Sequence, residues 1–248
     1  AGPLALIAPD GAVAACEGAM AIGRASQDVV LENRGRLLAA CWRTLFHGWR
    51  EEDAAESRRA LDVLTRAGAQ ELSAYDRILC ANVQIVQTEH EAALANARAG
   101  LGLLTERDGL WERVAATSAE TVALIYLGRL GESYERLLAG MELATRNGNG
   151  PWLAILQGIL TNLYLQTFHL DGVRQMADAV LAAPPSATPA QVTIQMLFAR
   201  GYLELSDGRL REARDSFAAA LAFEGATPFA LHWYSRLFAR LGLTEASL

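Results

Sequence analysis

Hydrophobic and polar positions along the chain recur with two superposed periods. Within short segments the apolar residues fall at i, i+4, i+7 and i+8, which is one face of an amphipathic helix. Ala213, Phe217, Ala220 and Leu221 do so in GRLREARDSFAAALAF, residues 208–223. Across the whole chain the smaller-then-larger pair Ala220-Leu221 returns as Val180-Leu181, Gly140-Met141, Gly100-Leu101 and Ala60-Leu61, a step of forty residues. A second row keeps the same step: Cys41, Ala81, Thr121, Thr161 and Gly201 are all small, and four residues later stand Leu45, Ile85, Ile125, Leu165 and Leu205. A small site lets a neighbouring helix approach closely, and the aliphatic site fills the seam beside it. One helical hairpin cannot bury both, so this pattern predicts stacked helix pairs.

The predicted elements follow from the face pattern and its breakers. Helices are expected over 9–24 with Asp10 as cap, then 28–47, 54–67, 71–88, a partner running to about residue 106, 110–127, 132–146, 151–167, 172–183, 188–206, 210–223 and 228–240. The closing LGLTEASL reads as the opening of one more second helix. Corners are HGWREED, EHE, GRLGES and FHLDG, with Leu130, Leu170 and Leu210 in step, although Arg50 and His90 depart from that row. NGNG at 147–150 with Pro151, and Pro184-Pro185, are the firmest breakers. No segment alternates with a period of two over a strand's length, so no sheet is expected. The expected fold is all-α in a single domain, 1–248. Its approximate repeats are 1–24 (partial), 25–68, 69–109, 110–150, 151–185, 186–225 and 226–248 (partial).

Composition narrows the chemistry. With 52% hydrophobic residues the chain has ample material for a core, and its net charge of −6 argues against gripping a phosphate backbone. All 22 of its cations are Arg, because no Lys occurs. That removes the Walker-type phosphate loop, the Schiff-base lysine and the Ser-Lys nucleophile pair. Cys16, Cys41 and Cys80 are odd in number, widely spaced and free of any C-x-x-C, so neither a disulfide framework nor a zinc knuckle is expected, and a reduced, cytoplasmic setting fits. No run of about 18 apolar residues occurs; even PWLAILQGILTNLYLQTF is interrupted by Gln157, Asn162 and Gln166. The opening AGPLALIAP is too short and uncharged for a secretory signal, and a chain that starts mid-pattern reads as a piece of something longer. Its truncated first repeat is capped equally well by missing sequence or by a second copy of the chain, in a homo-oligomer through the repeat ends.

The small residue, the corner Gly, then Ala, an aromatic and Ala-Leu, as in Gly201, Gly208, Ala213, Phe217 and Ala220-Leu221, resemble the tetratricopeptide repeat. Tyr164 and Pro185 stand at that repeat's usual Tyr and Pro places, while Glu204 stands where an aromatic is usual. A step of forty rather than thirty-four is similar to the repeat region of large bacterial LuxR-type regulators of the maltose-activator kind, where such repeats lie between an ATPase module and a DNA-binding helix-turn-helix. The resemblance implies a right-handed superhelical solenoid of antiparallel helix pairs. It further implies a non-catalytic sensor or interaction domain that binds a protein, a peptide or a small-molecule effector and uses no cofactor. The alternatives are a stand-alone adaptor and the sensory domain of a signalling enzyme such as a nucleotide cyclase.

In tetratricopeptide arrays the first helices line the concave groove, so the residues one place beyond the small site are expected to meet a ligand. Here these are Trp42, Asn82, Val122, Asn162 and Tyr202, with Leu38, Ile78, Ser118, Gly158 and Phe198 four residues earlier and Tyr75 on the same helix as Ile78. The candidate binding set is Trp42, Tyr75, Ile78, Asn82, Ser118, Asn162, Phe198 and Tyr202. An amide and aromatic lining suits a peptide backbone or a polyhydroxylated ligand, since Asn both donates and accepts while the rings supply flat apolar surface. The same rings serve equally well as packing residues. Capture of a C-terminal carboxylate is disfavoured, because the cations it needs are missing at the neighbouring places.

The remaining polar features carry bland readings. His47, His90, His169 and His232 are isolated from any second metal ligand at a metal-binding spacing, and His90 and His169 fall at corners. Glu51-Glu52-Asp53 complements a helix start. Gly100-Leu-Gly102 lacks the third Gly of a dinucleotide loop. Arg58, Arg59, Arg211 and Arg214 beside Glu56, Glu212 and Asp215 read as a solvated outer face with i,i+3 or i,i+4 pairing. Trp49, Trp111, Trp152 and Trp233 near helix ends are expected to cover the seam, and any left exposed marks a partner surface. An all-helical enzyme would need clustered carboxylates or a nucleophile pair, and the sequence offers neither.

Overall fold

The computed structural model describes residues 9–67, 74–105, 109–182, 189–225 and 232–247, and everything structural below concerns these residues. They form twelve helices and no strand. In chain order these are α1 (Pro9–Ser26), α2 (Val29–His47), α3 (Glu51–Arg66), α4 (Ala74–Val86), α5 (His90–Leu103) and α6 (Leu110–Tyr126). There follow α7 (Leu130–Arg146), α8 (Gly150–Gln166), α9 (Leu170–Leu181), α10 (Ala190–Ser206), α11 (Leu210–Gly225) and α12 (His232–Glu245). The chain divides into two compact units, Ala1–Ala123 and Leu124–Leu248. In the first, α1 packs on α2, α2 on α3, α4 on α5, and α2 on α4. In the second, consecutive helices from α7 to α12 pack on one another, with α8 also touching α10, and α10 touching α12.

The corner between the two helices of a pair is tighter than the sequence suggests. Residues 48, 88, 128, 168 and 208, spaced by forty, all have positive φ: Gly48 at 90°, Thr88 at 62°, Gly128 at 72°, Phe168 at 54° and Gly208 at 73°. At the last four of these a Schellman motif closes the first helix. The amide after the left-handed residue bonds five residues back, as Arg129 N to Leu124 O (2.9 Å) and Arg209 N to Glu204 O (2.8 Å), and the left-handed residue bonds three back. That following residue then begins the second helix, its carbonyl accepting from residue i+4, as Ser133 N to Arg129 O does at 3.1 Å. Two residues make the turn. The second helices therefore start at Glu51, His90, Leu130, Leu170 and Leu210, up to three residues before the starts expected at 54, 132 and 172.

At the C-terminal end α12 runs unbroken through Leu241 to Glu245, so LGLTEASL continues one helix instead of opening another. Gly242 has no breaking effect there because the helix packs its bare Cα against the Phe217 ring. Asp10 lies inside the first turn of α1 rather than before it. The Pro184-Pro185 breaker and residues 68–73 lie outside the described residues.

Burial follows the forty-residue step. Cys41, Ala81, Thr121, Thr161 and Gly201 are all buried on the first helices. So, on the second helices, are the rows Asp53, Ala93, Ser133, Val173, Ala213 and Ala60, Gly100, Gly140, Val180, Ala220. In the second unit Phe217 is fully enclosed, with Ala213, Ala246 and the partly buried Tyr202, Leu205 and Leu243 around it. Burying such a side chain stabilises the unit by roughly 1.5–3 kcal/mol. A Cβ at Gly201 would come within 2.6 Å of this ring, which is why the small site is Gly in that repeat.

Candidate functional site

The first helices place the predicted lining at two depths. Trp42 (5% exposed) and Ile78 (2%) belong to the packed interior of the first unit, and Trp42 stacks on Phe46 with ring centroids 5.3 Å apart. Asn82, Val122, Asn162 and Tyr202 are half-buried, one place beyond small sites that are all fully buried. The Asn82 amide donates to Ile78 O at 2.9 Å, and the Ser118 hydroxyl donates to Val114 O at 2.8 Å, so both are partly engaged by their own helix. In the second unit Tyr202 meets Phe217 edge-on at 5.2 Å, and Phe198 stacks with Phe238 at 6.2 Å. Burial raises the Tyr202 phenol above its ordinary range. Gly158 is roofed by the Gln195 amide of α10, whose Oε1 would lie 2.3 Å from a Cβ at that position. Trp42, Tyr75, Ile78, Asn82 and Ser118 thus belong to the first unit, and Asn162, Phe198 and Tyr202 to the second.

The first unit holds a group of buried reactive side chains that the sequence kept apart. All three cysteines are buried and free: Cys16 on α1, Cys41 on α2 and Cys80 on α4. The neighbouring Cys80 thiol, together with burial, pushes Cys41 well above the usual thiol range. Tyr75, half-buried at the start of α4, is raised by burial and by the nearby Cys16 and Asp76. Asp76 is wholly buried and pairs with Arg34 of α2 at 2.7 Å. Beside the two thiols a small cavity of about 20 Å³, room for one water-sized molecule, lies among α2, α3 and α4. The apolar Leu37, Leu61 and Val83 line it together with Cys41 and Cys80 and the polar Ser57, Arg58, Gln84, Gln87 and Glu89. Gln87 Nε2 is a buried donor with no partner among the described residues.

An ion-pair network joins α1, α2 and α3 on another side of this unit. Arg43 reaches Asp53 (2.6 Å), Glu56 (2.6 Å) and Glu17 (3.7 Å), while Arg36 pairs with Glu32 (2.7 Å) and Glu56 (3.7 Å). Glu56 therefore faces α2 rather than the solvated outer row, and Asp53 is a buried partner of Arg43 as well as a first-turn acid of α3. Arg58 pairs with Glu51 and, across the corner, with Glu89. On α6 the buried Glu120 pairs with Arg98 of α5 at 2.8 Å.

The second unit carries an aromatic group at one corner. Tyr164 of α8 lies 6.5 Å from Tyr134 and 4.7 Å from His169, and a close approach of Tyr164 and His169 over Gly172 leaves no room for a Cβ there. Burial and a hydrogen bond with Tyr134 raise the Tyr164 phenol. His169 Nδ1 accepts from Gly172 N at 3.1 Å, so this corner His caps α9. Phe168 between them is 83% exposed. Trp49 is also half exposed, Trp152 is half-buried, and the side chains of Trp111 and Trp233 lie outside the described residues. NGNG acts as a linker, with Gly148 left-handed and Asn149 Oδ1 accepting from Trp152 N at 3.3 Å.

Among the described residues no group of three or more His, Cys, Asp or Glu could hold a metal ion. No described helix is long and apolar enough to cross a membrane. No protein-family model matches the chain. None of the curated proteins compared with it matches either.

Proposed function

We propose that this chain is a non-catalytic helical-repeat module of the tetratricopeptide type, a superhelical solenoid serving as the sensing or interaction arm of a larger bacterial regulator of the LuxR kind. The observation that carries the reading is the forty-residue recurrence of the left-handed corner together with the buried small site. Repetition at that step belongs to arrays that bind through a row of side chains on successive first helices. Within the first unit the half-buried Asn82 and Val122 supply part of such a row, and within the second the half-buried Asn162 and Tyr202 do. The ligand class that suits them is a peptide backbone or a small polar effector, because amide and phenol groups pair with both donors and acceptors.

Replacing Asn82 and Asn162 together by Ala in the intact regulator tests this. The reading expects thermal unfolding to stay in place and the response to the effector or partner to fall at least tenfold. An unchanged response with the fold intact overturns it. A stand-alone adaptor remains the second reading, favoured by the half-exposed Trp49 and by Phe168, which offer contacts away from the first-helix row.

A further inference from the structure

Cys41 and Cys80 stand 39 residues apart in sequence on two first helices, and the packing of α2 on α4 brings them to the wall of one cavity. The cavity is the size of a single small polar molecule. Ser57, Arg58, Gln84, Gln87 and Glu89 line it as well, so the two cysteines share the cavity with polar side chains. Cys16 is buried on α1 and does not line this cavity.

We propose that Cys41 and Cys80 are a redox-active pair that a small peroxide converts to a disulfide, clamping α2 to α4. One sulfur, as its thiolate, attacks a peroxide oxygen; the O–O bond breaks, and the released oxygen takes a proton to leave as water or alcohol. The sulfenic acid so formed is attacked by the second sulfur; the S–S bond forms, the S–O bond breaks, and water leaves with the second thiol's proton. Two thiols are oxidised by two electrons in all, and the peroxide is reduced by the same two. The neighbouring Cys80 thiol and burial hold the Cys41 thiol above its usual range, so little of it is thiolate and the reaction is slow. A bridge between consecutive first helices removes their freedom to shift, which is the motion a stacked array uses to change its binding row.

The test treats the folded chain with hydrogen peroxide, blocks remaining thiols under denaturing conditions and counts them. Free thiols are expected to fall from three to one per chain, since the sequence holds three cysteines. Trypsin is expected to release residues 37–43 joined to residues 78–98, with the link lost on reduction. Cys16→Ser is expected to leave the bridge intact, whereas Cys41→Ser and Cys80→Ser abolish it. The unmodified chain alone decides the matter where a variant fails to fold. Retention of three thiols, a bridge that includes Cys16, or a link only between two chains overturns the proposal.

Discussion

The Phe217 ring lies against the bare Cα of Gly242, so close that a Cβ added there would sit 2.3 Å from the ring's Cζ. Phe217 is also fully buried, and the ring has little room to retreat because Gly201 lies against the same Cε1–Cζ end of it. Gly242→Ala is therefore expected to destabilise the second unit by about 1–3 kcal/mol through overpacking, even though Ala is the better helix former. Phe217→Ala is expected to cost about 3–5 kcal/mol by leaving a cavity. Urea unfolding followed by circular dichroism reads both. A Gly242→Ala variant as stable as the parent would show that the ring is not fixed where the structure has it.

Glu120 is 1% exposed and paired with Arg98, whose side chain is 39% exposed. Removing the cation leaves a carboxylate in the interior, so Arg98→Met is expected to cost about 3 kcal/mol, the low end for breaking a buried pair because water reaches the Arg side. Arg98→Met combined with Glu120→Leu is expected to recover most of that loss, since two apolar groups need no partner. The double variant being as unstable as the single one would mean that Glu120 is held by other contacts.

Phe168 occupies at φ 54° the place that Gly128 and Gly208 fill in neighbouring repeats, and it is 83% exposed. A side chain with a Cβ is strained in that region by roughly 1–2 kcal/mol, and little burial is lost by removing it. Phe168→Gly is expected to stabilise the second unit by about 1 kcal/mol, and Gly128→Ala or Gly208→Ala to destabilise it by a similar amount. Shifts in the urea midpoint at constant slope check all three.

These corners also show how much of the molecule was legible in the sequence. The forty-residue step, the helix pairs and the small buried row were readable because they rest on residue size at fixed spacing, as in Cys41, Ala81, Thr121, Thr161 and Gly201. The left-handed corner itself was not, because Thr88 and Phe168 stand where Gly would have signalled it. Leu130, Leu170 and Leu210 keep the forty-residue step beside the corner, yet they are only the first residues of the next helix. The candidate binding row was legible as a register but not as a depth. Trp42 and Asn82 are one forty-residue step apart, and packing against Phe46 buries the first while the second stays half open. The meeting of Cys41 with Cys80 was hidden altogether, since one lies at the small site and the other one place before it in the next repeat. Only the packing of α2 on α4 joins those two places.

The buried thiol and phenol of the first unit give it an alkaline limit. Cys41 and Tyr75 both have folded values above their unfolded ones, from the neighbouring Cys80 thiol and burial in the first case and from burial in the second. Between the unfolded and folded values the folded chain keeps a proton that the unfolded chain has released, so stability is complete below about pH 8.5 and falls as pH rises through and beyond 9–10. Cys41→Ala is expected to flatten the first part of that fall and Tyr75→Phe the second. Thermal midpoints measured from pH 7 to 11 check this, and parallel curves for all three proteins would contradict it.

Asp207 provides the opposite sign in the second unit. Side-chain hydrogen bonds from Arg209 and Arg174 hold its carboxyl below the usual carboxylate range. Its contribution is present above the unfolded value and is lost as pH falls through the lower folded one. Asp207→Asn is expected to lower the midpoint slightly at neutral pH, by little because the group is exposed and screened by solvent, and to converge with the parent as pH falls through the folded value. Acid titration of the midpoint between pH 5 and 2 reads the difference.

The coding sequence on both sides of this segment in the parent gene tests the sensing-arm reading most directly. The account predicts a phosphate-binding ATPase module upstream and a DNA-binding helix-turn-helix downstream, which would make the forty-residue array the part that receives the signal. A start codon immediately before residue 1 and a stop codon immediately after residue 248 would contradict it and leave the adaptor.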